Sequence, residues 1–123
     1  MKLNNINMIY VEAIGEKWPC VYDLNVQSVL QEEYGTINKW IENLYGEEKK
    51  ESEINIKTII FTMKEMINEG IEIENEMGKP YREPISNTIA GIIITEMGVN
   101  KMLEIVNELG KAEQNDSRID YTP

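Results

Sequence analysis

Histidine is absent from this sequence. That absence removes the commonest general base, the Ser-His and Cys-His nucleophile pairs, and most transition-metal sites. The one cysteine, Cys20, has no second cysteine to pair with inside the chain. Stability must therefore come from packing, which suits a reducing cytoplasm, and beside Pro19 the thiol reads as a small buried hydrophobe. None of the eight glycines falls in a G-x-G-x-x-G or G-x-x-x-x-G-K-[ST] pattern, so no phosphate-cradling loop is present. Long apolar runs are missing too: the best, residues 89–95, is interrupted by Gly91 and followed by Glu96, against the roughly 20 residues that cross a bilayer. The opening Met1-Lys2-Leu3-Asn4-Asn5 lacks the apolar core of a secretory signal, so nothing points to export.

What is abundant is negative charge. Acidic residues number 22 against 12 basic ones, for a formal charge of -10 over 123 residues. Such a surface repels nucleic-acid phosphates and anionic membranes, so direct binding to either is not expected. An acidic DNA mimic fits the sign, but a charged surface that keeps the protein dissolved explains it more simply. The spacing of the carboxylates argues against an acid-base or cation site. Glu32 and Glu33 are neighbours on a helix and point apart. Glu65 and Glu69 stand i, i+4 but off the apolar stripe, where a solvated face is expected. Glu72, Glu74 and Glu76 alternate like Ca²⁺-loop ligands, yet are Glu where Asp or Asn is usual, and Gly78 comes one place late. No catalytic residue, cofactor or metal site is assigned.

Along the chain, residues 6–13 alternate loosely and are rich in Ile, Tyr and Val. A break at Gly15-Glu16-Lys17 and a second strand from Trp18 make a hairpin over about 6–24. Pro19 places that second strand at an edge or its start. The periodicity then changes to 3.6, predicting helices over about 26–34 (capped by Asn25, stopped by Gly35) and 37–45 (capped by Thr36, stopped by Gly46). The second carries Ile37, Trp40, Ile41, Leu44 and Tyr45 on its apolar face. A charged connector, Glu47 to Glu53, leads to a central helix over 56–69, capped by Ser52 or Asn55 and closed by Gly70. Residues 71–84 fit a strand, a helix extension or a loop, with Tyr81 as a pin to the core. Helices over 85–97 and 99–109 follow, the first with Ile85, Ile89, Ile92, Ile93 and Met97 inward, the second with Val99, Met102, Leu103, Val106 and Leu109. The expectation is one mainly helical α+β domain over 1–110, a hairpin and about five helices in a compact bundle, with 111–123 as a flexible tail.

The candidates for binding a partner are Ile94 and Ile105, which lie off the main stripes, and Phe61, which flanks that of the central helix, with Tyr45 and Trp18 at the rim. Core burial is the simpler account of each, and a groove for a partner helix or strand is the functional one.

The order of features adds a resemblance. A hairpin runs into Tyr22-Asp23-Leu24-Asn25, then a helix ending Glu32-Glu33-Tyr34-Gly35, then Thr36-Ile37 opening an amphipathic helix. An acidic break, a strongly apolar helix, two more helices and a polar tail follow. Over residues 6–110 this resembles the tail assembly chaperones of long-tailed bacteriophages and prophages, especially those of Gram-positive hosts. The resemblance implies a non-enzymatic protein of the host cytoplasm, absent from the mature virion. It would bind the tape measure protein, keep its long hydrophobic helices soluble and help recruit tail tube subunits, with a homo-oligomer as a further expectation. In that family a longer product often arises by ribosomal frameshifting. No binding residue is carried over from the resemblance. A head-tail connector or completion protein, and an acidic protein-binding inhibitor, are the alternatives.

Overall fold

The structure, a computed structural model, describes residues 6–45 and 55–114. The 47–53 connector, the Gly46 stop, the Ser52 cap and residues 115–123 of the expected tail lie outside the described residues. Two antiparallel strands, β1 (Met8–Ala13) and β2 (Glu16–Val21), are followed by α1 (Leu24–Tyr34), α2 (Ile37–Tyr45), α3 (Ile56–Glu76), α4 (Asn87–Met97) and α5 (Val99–Gln114). The hairpin followed by five packed helices is the architecture expected from the sequence. Among the described residues, no helix is long and apolar enough to cross a membrane.

Local chemistry sets most of the boundaries. Asp23 Oδ1 accepts from the Val26 N–H at 3.0 Å, so α1 is capped two residues earlier than Asn25 would allow. Thr36 Oγ1 accepts from Lys39 N–H at 3.0 Å, and Asn55 and Ser86 cap α3 and α4 in the same way. Gly35 and Gly98 end α1 and α4 with positive φ.

Gly70 does not end α3. The helix continues to Glu76, and a β-carbon at position 70 would lie 2.5 Å from the Pro19 carbonyl oxygen. Glycine is there because strand and helix backbones touch. Gly110 likewise lies inside α5, which extends to Gln114 rather than stopping near 109. Residues 111–114 therefore belong to the helix and not to a tail.

One buried cluster joins the inner face of the hairpin, through Val11, Ala13, Trp18 and Cys20, to Met63, Met66 and Ile67 of α3 and to the inner faces of the other helices. Residues 77–86 have no regular structure, yet two α3 asparagines hold them. Asn75 accepts from Arg82 N–H and donates to its carbonyl, both at 3.0 Å. Asn68 does the same for Ile85, at 2.7 and 3.1 Å. Tyr81, expected to pin this loop, is instead 69% exposed; the paired hydrogen bonds of the two asparagine side chains to loop backbone do the pinning, helped by the Arg82 guanidinium over the Trp18 ring.

Candidate functional site

The five apolar residues expected on α2 divide between two faces. Trp40 and Leu44 are buried in the core, whereas Ile37, Ile41 and Tyr45, spaced four apart, line an open groove. Ile41 is 40% and Tyr45 39% exposed. Leu24, at the start of α1, stands on the same wall and is 69% exposed. The opposite wall is α5, through Asn100, Leu103, Glu104, Asn107 and Lys111. That spacing is one helix face, and it runs about 16 Å at 1.5 Å per residue. The groove encloses about 940 Å³.

Its floor is rigid. Trp40 stacks on Tyr22 with ring centres 5.7 Å apart, and its indole N–H donates to Thr62 Oγ1 at 2.8 Å in the core. A buried indole with a satisfied N–H holds one rotamer. The walls are mixed: isoleucine, leucine and tyrosine from α1 and α2, amide and carboxylate groups from α5. Partial burial raises the Tyr45 hydroxyl above its ordinary pKa of 10.0 and keeps it neutral.

Of the four residues singled out from sequence, the structure brings only Tyr45 to this groove. Phe61 is partly buried, edge-on to Tyr34 at 6.0 Å with the Lys64 ammonium over its ring. Ile94 and Ile105 are each 5% exposed within the core cluster. They fill the bundle interior for two reasons: α4 is rotated from its expected stripe, with Ala90, Ile93 and Ile94 inward and Ile92 45% exposed, while on α5 Ile105 widens the expected face of Met102, Val106 and Leu109. Trp18, the further rim candidate, is buried, with its indole N–H on the Ala13 carbonyl at 2.9 Å. Sequence reasoning missed Leu24 and the α5 wall. The signal for Leu24 was an apolar residue directly after the cap; Asn100, Glu104 and Asn107 look like any solvated helix face.

The other chemistry-bearing groups are committed to the fold. Cys20 is fully buried, and burial pushes its thiol up to about 12, far from a nucleophilic thiolate. Glu74 is buried and accepts from the Tyr10 hydroxyl at 2.6 Å, with Lys79 Nζ at 3.3 Å and Arg82 Nη2 at 3.5 Å. Desolvation pushes its carboxyl up, but the Tyr10 and Lys79 hydrogen bonds and the two cations outweigh that and hold it below the usual 4.5. Glu65 pairs with Lys64 at 3.4 Å, while Glu69 accepts from Asn25 Nδ2 at 2.8 Å. Among the described residues, no group of three or more His, Cys, Asp or Glu side chains is arranged to hold a metal ion. Comparison with family models, curated proteins and solved structures finds no match for this chain.

Proposed function

We propose that this protein is a non-enzymatic assembly chaperone of the phage-tail type, acting in the bacterial host cytoplasm and left out of the finished virion. Its task is to bind the tape measure protein, keep it soluble and help recruit tail tube subunits. The observation that carries this reading is the groove: Leu24, Ile41 and Tyr45 stay open to solvent along a cleft about 16 Å long, on a chain whose charge is -10. Exposed apolar residues that line one cleft suit an amphipathic helix laid between α2 and α5. The acidic exterior keeps such a complex dissolved.

The test is co-expression with a tape-measure-type coiled-coil protein encoded beside it. The expected result is soluble co-purification that Leu24→Lys and Ile41→Lys together reduce at least ten-fold, with the thermal midpoint within a few degrees of wild type. A partner that stays insoluble, or a complex indifferent to both substitutions, would overturn the reading. Fixed-copy presence in purified virions would instead identify a connector or completion protein.

A further inference from the structure

The two edges of the hairpin are treated unequally. Ile14 and Gly15 hold φ of 45° and 73° between Ala13 and Glu16, which face each other in the register. A two-residue turn of this kind makes its closing pair exchange both backbone hydrogen bonds, and bonded pairs then alternate down the ladder. Ala13–Glu16, Val11–Trp18 and Ile9–Cys20 are bonded pairs; Glu12–Lys17, Tyr10–Pro19 and Met8–Val21 turn their N–H and C=O groups outward. Pro19, which has no N–H to give, falls on an outward position, as this phase requires.

Along the β2 edge the outward groups are covered in part. The Lys17 carbonyl accepts from Arg82 Nη2 at 2.8 Å, Pro19 has no donor, and its carbonyl lies against Gly70 of α3. Along the β1 edge the outward N–H and C=O groups of Met8, Tyr10 and Glu12 meet no hydrogen-bond partner among the described residues. Met-Ile-Tyr-Val-Glu-Ala carries no proline, lysine or bulge to blunt an open edge, and Glu12 is its one charged residue. Tyr10 is 43% exposed and the Glu12 side chain 76%.

We propose that the β1 edge is a strand-docking site for an extended segment of another protein with alternating apolar and basic residues. Three outward pairs of backbone groups supply the hydrogen bonds. Side chains of an added strand alternate between the two faces of the sheet. On the core side they continue the surface of Ile9, which is only partly buried, and Val11, and must be apolar. On the outer side they lie beside Met8, Tyr10 and Glu12, where a basic residue shares the exposed Glu12 carboxylate with Lys17, whose ammonium stands 3.9 Å from it on the other flank. Charge selects the occupant. A second copy could align β1 on β1 about Tyr10, but it brings another net charge of -10 and is repelled, whereas a basic strand is attracted. The site is separate from the α2–α5 groove and does not depend on its function.

The probe is a capped seven-residue peptide alternating lysine and valine, titrated into the isotopically labelled full chain while amide exchange is followed by NMR. In the free protein, the amides of Met8, Tyr10 and Glu12 are expected to exchange at least ten-fold faster than those of Ile9, Val11 and Ala13. Saturating peptide should slow the first set at least five-fold. Glu12→Pro, which removes one outward N–H and no rung of the hairpin, should weaken binding at least ten-fold, and Glu12→Gln by less. Should Glu12→Pro unfold, peptides N-methylated on the bonding edge must fail to bind wild type while those methylated on the opposite edge still do. Three results would overturn the proposal: outward amides already protected in the free monomer, protection that appears with protein concentration alone, or a scrambled peptide of equal composition acting equally well.

Discussion

Ile14 holds a left-handed backbone conformation, φ 45°, at the first position of the hairpin turn. A β-branched residue there costs roughly 1–2 kcal/mol, because its β-carbon crowds the backbone. Being 38% exposed, it recovers little of that through burial. Ile14→Asn, the residue such turns favour, is expected to raise the stability measured by urea unfolding by about 1 kcal/mol with an unchanged slope. A loss would mean that the isoleucine side chain contributes packing that outweighs its strain. A second residue-scale prediction concerns Glu69. Burial first, then a hydrogen bond shared with Asp23, raise its carboxyl to about 7; Asn25 pulls the other way, and the charges of Asp23 and Glu72 add to the rise. Between the ordinary value of 4.5 and about 7, the folded protein keeps a proton that the unfolded chain has lost. This stabilisation is complete below the ordinary value and is lost as pH rises through 7. The thermal midpoint should therefore fall between about pH 4.5 and 7, and Glu69→Gln should flatten the profile. Glu74 acts in the opposite sense: its lowered carboxyl adds stability above the ordinary value and loses it as pH falls through the folded one, leaving the window near 7 to Glu69.

At the scale of elements, periodicity and caps revealed which segments are strand or helix and in what order, but not what each glycine is for. Gly35 and Gly98 stop helices; Gly70 and Gly91 sit inside them for different reasons. At Gly91 an added β-carbon would meet Ile60 Cδ1 at 3.6 Å, an ordinary contact, while at Gly70 it would meet the Pro19 backbone at 2.5 Å. Gly91→Ala is expected to stabilise by about 1 kcal/mol through helix propensity. Gly70→Ala gains the same propensity but must push β2 off α3, and should destabilise by about 1–3 kcal/mol net. Matched urea titrations of the two variants check the contrast, and a stabilised Gly70→Ala would mean that β2 has room to withdraw. The groove was half legible for a related reason. Five apolar residues on nine-residue α2 are more than one buried face absorbs, and the excess, Ile37, Ile41 and Tyr45, became a wall. The face expected for α4 was misplaced, taking Ile92 inward instead of Ile94, because Ile92, Ile93 and Ile94 in succession fit more than one rotation of the helix. Packing against α3, α5 and β1 together decides that Ile94 goes in and Ile92 out.

On the scale of the whole molecule, charge and exposed apolar surface make separable demands. A net charge of -10 opposes compaction, and an ion pair as exposed as Lys17–Glu12 does little to offset it. The Tyr10–Glu74–Lys79–Arg82 cluster and the Lys64–Glu65 pair are better shielded. Raising ionic strength from about 0.01 to about 0.15 M shortens the screening length from about 30 to about 8 Å, weakening general repulsion more than these short contacts. The thermal midpoint should therefore rise with added salt; a fall would show that surface ion pairs contribute more than their exposure suggests. The same variable separates the two proposed surfaces. A helix held in the α2–α5 groove by Leu24, Ile41 and Tyr45 binds through apolar burial, and its affinity should stay level or increase over that range. A basic strand on the β1 edge is drawn partly by the acidic field, so its association rate should fall steeply. Stopped-flow titrations at the two ionic strengths read both. If the groove ligand weakened with salt as steeply as the strand, its binding would be driven by charge, and the apolar walls would not be what holds it.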